Sequence, residues 1–185
     1  IEGEEGYVGE DEQVGFIDFL RQIEPGESFY ASTTAGDVLE GVSSGGGRFK
    51  GSAQYYYGDT YEGEHLGIYR DGKGIHTTEG YVHEGEFIEG WATGKGKQVS
   101  KIYDITLEGD FLNGRLHGQG KYTHKVTMEN QDTSVTVREG QFQEGDSHGF
   151  GKETERRILS YIGIGIEVFE YKGDFYISDI IDQSP

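Results

Sequence analysis

The chain has 185 residues, with 32 Gly and 13 Tyr but only 2 Pro and 33% hydrophobic residues. Compact globules carry roughly 45–50% apolar residues, so these proportions argue against a thick aliphatic core and for a thin, turn-rich structure. A formal charge of −18 argues against nucleic acid and anionic lipid as partners, because both are held largely through Lys and Arg.

No Cys is present, which excludes a disulfide framework and a thiolate metal site and fits a reducing, cytoplasmic setting. The chain shows no run of 18 apolar residues and no signal-peptide core. It begins at Ile1 rather than Met, as a piece of a longer protein would.

Residues 11 to 23 place Phe16, Phe19, Leu20 and Ile23 at helical spacing. A short amphipathic helix capping the first hairpin is expected there, although Gly15 weakens it and FIDFL could equally be a strand of a divergent repeat. Residues 1–35 therefore read as an N-terminal cap or divergent repeat, and residues 36–185 as the array proper.

Self-similarity organises the remainder. AGDVLEG (Ala35 to Gly41), YGDTYEG (Tyr57 to Gly63) and EGYVHEG (Glu79 to Gly85) follow one another at intervals of 22 residues. TLEGDF, VREGQF and EYKGDF continue the kernel with glycines at Gly109, Gly140 and Gly173, and a weaker copy, YVGE, lies at Tyr7 to Glu10. A Gly-x-Gly pair follows the kernel glycine by 9 and 11 residues at Gly72/Gly74, Gly94/Gly96, Gly118/Gly120 and Gly149/Gly151. Asn113/Gly114 and Asp71/Gly72 supply turn chemistry.

The most aliphatic run, Ile158 to Phe169, is expected to form two buried or interface strands. It is also the first candidate for contact with a partner or a second copy.

YEGEHLGIYRDGKGIHTTEG (Tyr61 to Gly80) and LEGDFLNGRLHGQGKYT (Leu107 to Thr123) resemble MORN repeats in both composition and spacing, over roughly residues 36 to 175. The resemblance implies an all-β, elongated, single twisted antiparallel sheet of successive hairpins. Strand alternation then puts Tyr61, Gly63 and His65 on one face and Glu62 and Glu64 on the other. Extended over the copies, this gives an aromatic face with Phe87, Phe111, Phe142, Phe175, Tyr61 and Tyr171. The opposite face is acidic, with Glu84, Glu86, Glu108, Asp110 and Asp174. Glycine between two large side chains leaves a gap for an aromatic from a neighbouring hairpin.

Catalytic and metal chemistry find little purchase. GIYRDGKG (Gly67 to Gly74) matches part of a phosphate loop but ends in Gly74 where Ser or Thr would hold Mg²⁺, and the repeat already explains its glycines. The six His lack ligand spacing, so packing explains His117 and His148 ahead of their Gly-x-Gly pairs. The acids read as a solvated face rather than a carboxylate pair or a calcium loop. No cofactor, metal or catalytic residue is expected.

Trp91, the sole Trp, is read as lying in the turn of EGWATGKG. It serves there either as a binding anchor or as a ring folded back on Tyr81 or Tyr103.

The expected function is a non-catalytic scaffold or adaptor. Its aromatic groove of Tyr61, Phe87, Trp91, Phe111, Phe142 and Tyr171 receives a basic or amphipathic protein segment. The resemblance implies a place in cytoskeletal or ciliary assemblies. Exposed C-terminal strands offer pairing with a second copy. Two alternatives stand beside this reading. One is a regulatory region of a larger enzyme of the lipid kinase or methyltransferase type; the other is a phospholipid-binding module, although the charge makes membrane binding unfavourable.

Overall fold

The computed structural model describes residues 12–129, 132–161, 164–171 and 174–182, with side chains between residues 16 and 158. The repeat copy at Tyr7 to Glu10 and the side chains of Asp174, Phe175 and Tyr171 lie outside the described residues.

Among the described residues one helix precedes the strands: α1 (Glu12–Gln22). The strands are β1 (Ser28–Ser32), β2 (Val38–Gly45), β3 (Arg48–Gln54), β4 (Thr60–Leu66), β5 (Tyr69–Thr77), β6 (Tyr81–Ile88) and β7 (Trp91–Ser100). They continue as β8 (Ile105–Leu112), β9 (Arg115–Thr127), β10 (Thr133–Gln143), β11 (Asp146–Tyr161), β12 (Ile164–Tyr171) and β13 (Asp174–Asp182). Among the described residues these thirteen strands form one sheet in strict sequence order, open at β1 and β13. Twelve intervals of about 4.8 Å make it about 58 Å long across the strands. The Ile158–Phe169 run divides between the end of β11 and the body of β12.

Alternation is clearest in β4, where Tyr61, Gly63 and His65 are buried and Thr60, Glu62 and Glu64 exposed. The glycines align across the sheet. Gly41 pairs with Gly51, Gly51 with Gly63, Gly63 with Gly74, and Gly74 with Gly85. The row runs on through Gly96, Gly109, Gly120 and Gly140 to Gly151. Kernel glycines and the second glycine of each Gly-x-Gly pair are thus two halves of one line.

The line exists because rings lie flat on it. A Cβ on Gly63 would stand 2.7 Å from the Tyr61 hydroxyl, and one on Gly96 2.7 Å from His83 Nε2. On Gly120 it would meet the Leu116 methyls at 2.8 and 2.9 Å. These separations are shorter than van der Waals contact, so a side chain here displaces the core. The gap is filled by a ring of the same hairpin, Tyr61 over Gly63 and Gly74 and His83 over Gly85 and Gly96, whereas a ring from a neighbouring hairpin was expected.

Each of four hairpins carries a bulge just after its kernel glycine, at Gly63/His65, Gly85/Phe87, Gly109/Phe111 and Gly140/Phe142. Within its own hairpin the residue left without a partner is Glu64, Glu86, Asp110 or Gln141, each of which pairs instead with the preceding strand. Opposite it, Gly72, Gly94 and Gly118 have φ of +115°, +90° and +85°, a region that suits Gly. The backbone N–H of Lys73 donates to Glu64 Oε2 and that of Gln119 to Asp110 Oδ2, both at 3.2 Å. The acid after the kernel glycine therefore secures the bulge.

Glu89–Gly90, Asn113–Gly114 and Glu144–Gly145 form two-residue turns with positive φ at both positions. Asp71 and Gly72 do not make a turn: the chain reverses at Gly67 and Ile68, between the paired Leu66 and Tyr69. Turn amides stack hairpin on hairpin. Gly67 N–H donates to the Gly47 carbonyl, Gly90 to Arg70, Gly114 to Ala92 and Gly145 to Leu116.

Helix α1 covers one end of the ring face. Phe16 and Leu20 are buried in a cluster with Ala31, Leu39, Phe49, Tyr61 and Phe87, which satisfies the apolar stripe of α1.

Candidate functional site

Four of the six residues expected to line an aromatic groove are interior. Tyr61, Phe87, Phe111 and Phe142 are 1%, 2%, 3% and 5% exposed, so they form the core of the sheet and leave no open groove. The reason is the glycine row, which lets each ring lie against backbone instead of standing out from it. Trp91 differs: it opens β7, paired with Ile88 outside the two-residue turn, and is 60% exposed. Its indole approaches the next turn, Cε3 lying 3.9 Å from a Cβ built on Gly114, and among the described ring pairs it has none with Tyr81 or Tyr103. Tyr171 belongs to β12.

The interior rings touch in sequence. Phe29 meets Phe49 at 4.8 Å, and Phe49 stacks on His65 at 4.2 Å. Beyond them His65 meets Tyr61 at 4.8 Å, and Tyr61 meets Phe87 at 5.1 Å. His83 then joins Phe87 at 5.3 Å to Phe111 at 4.6 Å. His65 thus occupies the place that Phe87, Phe111 and Phe142 hold in other hairpins, and His83 the place of Tyr61.

Both histidines are 1% exposed. Among the described residues their ring nitrogens form no hydrogen bond of standard geometry. Burial lowers each pKa to about 4, against a smaller opposing pull from the Gly51 backbone at His65 and from Gln98 at His83. His117 is half-buried and His148 exposed, so packing accounts for the first and not for the second.

A polar clamp closes the ring face. Arg70 Nη1 lies 2.7 Å from His76 Nε2, which is 3.0 Å from Asp59 Oδ2. The same guanidinium donates from Nε and Nη2 to the Gly90 carbonyl and sits 5.5 Å from the centre of the Tyr55 ring. Burial and then Arg70 hold His76 below its ordinary range, with Asp59 opposing. Burial pushes the Tyr55 phenol up to about 12, with Arg70 opposing.

The opposite face is charged with both signs, which corrects the expectation of an acidic face. Lysines of the Gly-x-Gly strands stand between the acids, and Lys95 Nζ meets Asp110 Oδ1 at 2.6 Å, Lys97 meets Glu108 at 3.4 Å, and Lys121 meets Glu139 at 2.9 Å. The Lys121 ammonium lowers the pKa of Glu139.

Within this face lies a groove of about 940 Å³ that crosses β1 to β7, with Gly41, Gly51, Gly63, Gly74 and Gly85 along its middle. One wall is Glu40, Ser52, Glu62, Ile75 and Glu84; the other includes Val42, Lys50, Lys73, Glu86 and Lys95. Strand alternation alone does not reveal this groove, because it depends on which side chains the register sets next to one another on neighbouring strands. A smaller hollow of about 340 Å³ is lined by Tyr55, Tyr57, Ile68, Tyr69, Arg70 and Trp91, with Asp37 and Glu89 at its side.

Among the described residues no group of three or more His, Asp or Glu is arranged to hold a metal ion, and no helix is long and apolar enough to cross a membrane. No family model matches the chain, and no curated protein matches it.

Proposed function

We propose that this protein is a non-catalytic scaffold of the MORN-repeat kind, which holds an extended segment of a partner protein in the groove on its charged face. The carrying observation is the groove itself, about 940 Å³ and spread over seven strands. Such a long, shallow trough suits a polypeptide better than a compact metabolite. The filled ring face supports the same reading, since it leaves the charged face as the surface with room. A place in a cytoskeletal or ciliary assembly, as the repeat resemblance implies, belongs to this proposal.

The test is selection of unstructured peptides from a displayed library, followed by calorimetric titration of the selected peptides. Ile75→Trp fills the groove from an exposed position and should abolish binding while the thermal unfolding midpoint holds. Trp91→Ala, outside the groove, should leave affinity unchanged. Binding that survives Ile75→Trp overturns the reading.

A further inference from the structure

The row of side chains beside the glycine line changes character halfway along the sheet. In its later part it reads Lys97, Glu108, Lys121, Glu139, Lys152, each paired across strands with the next, while Glu84 stands at the boundary opposite Lys97, whose ammonium lies 3.4 Å from Glu108. Acid and base alternate there, and the row neutralises itself. In the earlier part it reads Glu40, Ser52, Glu62, Ile75, Glu84. The positions that hold lysine further on hold Ser52 and Ile75, and Ile75 is 40% exposed among carboxylates. Among the described residues Glu40 receives only the Ser52 hydroxyl, at 3.2 Å, and Glu62 and Glu84 have no ion pair within 4 Å. The groove coincides with this earlier part.

We infer that the groove takes a segment in the polyproline II conformation carrying Arg or Lys at every third residue, whose cations pair with Glu40, Glu62 and Glu84. This rests on the segment-binding reading above and names the chemistry of the partner.

The spacing selects the conformation. The three acids stand on alternate strands, so they repeat every two strand intervals, about 9.6 Å. A polyproline II segment advances about 9.3 Å in three residues and has three residues per turn, so every third side chain returns to the same face. A β-strand covers a similar distance in three residues but turns the third side chain to the opposite face. Only the first conformation offers cations to all three acids.

Polyproline II leaves its carbonyls without internal hydrogen bonds. Lys50 and Lys73, on the other wall, have no ion pair within 4 Å among the described residues and can donate to those carbonyls. Residues 1–11 of the chain carry acids at positions 2, 4, 5, 10 and 11 and no base, and a second copy brings a charge of −18. Charge therefore favours a separate basic partner over either.

Titration of the intact chain with three nine-residue peptides decides the matter. One has Arg at its first, fourth and seventh positions with Pro elsewhere, one has the same residues with the three Arg contiguous, and one has Gln for Arg at the phased positions. The phased peptide should bind at least tenfold more tightly than the other two. Its affinity should fall about fivefold with Glu62→Gln and be abolished by Ile75→Lys, which restores the lysine of the later row. Glu139→Gln, in the self-neutralised part and away from Glu84, should leave it unchanged. Equal affinity for the phased and contiguous peptides overturns the spacing argument. Failure of all three, while library-selected peptides still bind and still lose affinity with Ile75→Trp, overturns this inference and leaves the segment-binding reading standing. Failure of every peptide overturns both.

Discussion

The phenol ring of Tyr61 lies on Gly74 of the next strand, in the space a Cβ would occupy. Gly74→Ala should therefore cost about 2–3 kcal/mol by overpacking. The loss should be read as a lowered urea midpoint. Combined with Tyr61→Leu, which removes the ring, the alanine should cost at least 1 kcal/mol less than it does alone, as expected for residues in contact.

Glu64 and Glu108 look alike in the repeat but act differently. Glu64 accepts a backbone N–H at a bulge, whereas Glu108 faces Lys97 at 3.4 Å with both partners about half exposed. Glu64→Ala should lower stability by about 1–2 kcal/mol through the lost bond to a charged acceptor. Glu108→Ala should change it by less than about 0.5 kcal/mol. Equal urea midpoints for the two variants would contradict this division of roles.

His65 and His83 make stability depend on pH. Their folded pKa values of about 4 lie below the ordinary 6.5, so between those limits the unfolded chain binds more protons than the folded one. Stability is complete above about pH 6.5 and falls as pH drops toward about 4, by about 2 kcal/mol per histidine at pH 5. His65→Phe installs the residue found at the matching position of later hairpins. It should flatten the pH dependence of the urea midpoint between pH 7 and 5 by less than half, because His83 and His76, which is also held below its ordinary range, keep their contributions.

Trp91→Ala should reduce stability by less than about 1 kcal/mol, since the indole is mostly exposed. Phe111→Ala, in the core, should cost about 3–5 kcal/mol. Thermal unfolding monitored by circular dichroism separates the two.

Much of the fold was legible before any coordinates. The phased kernels and Gly-x-Gly pairs announced hairpins, because strand periodicity is a local property; Phe16, Phe19, Leu20 and Ile23 allowed α1 and a strand alike, and packing on Leu39 and Phe49 decides for the helix. Asn113–Gly114 was readable for the same reason. Asp71–Gly72 misled, since Gly72 has positive φ for a bulge rather than for a reversal of the chain. The site was less legible. Knowing that Tyr61, Phe87 and Phe111 share a face does not say whether that face is filled. This depends on Gly63 facing Gly74 and Gly85 facing Gly96, a register between strands. The same register placed Lys97 and Lys121 among the acids and left Ser52 and Ile75 opposite Glu62, which composition alone could not show.

The strict order of strands has a mechanical corollary. Hydrogen bonds between neighbours point along the length of the sheet, so tension between its two ends passes through every ladder in series. The load limit is then set by the weakest rung rather than by the sum. β1 and β2 share five paired residues, against ten between β10 and β11, so rupture under an end-to-end pull should begin at the N-terminal strand, once α1 and the bonds that Gly26 and Glu27 make with Ser43 have given way.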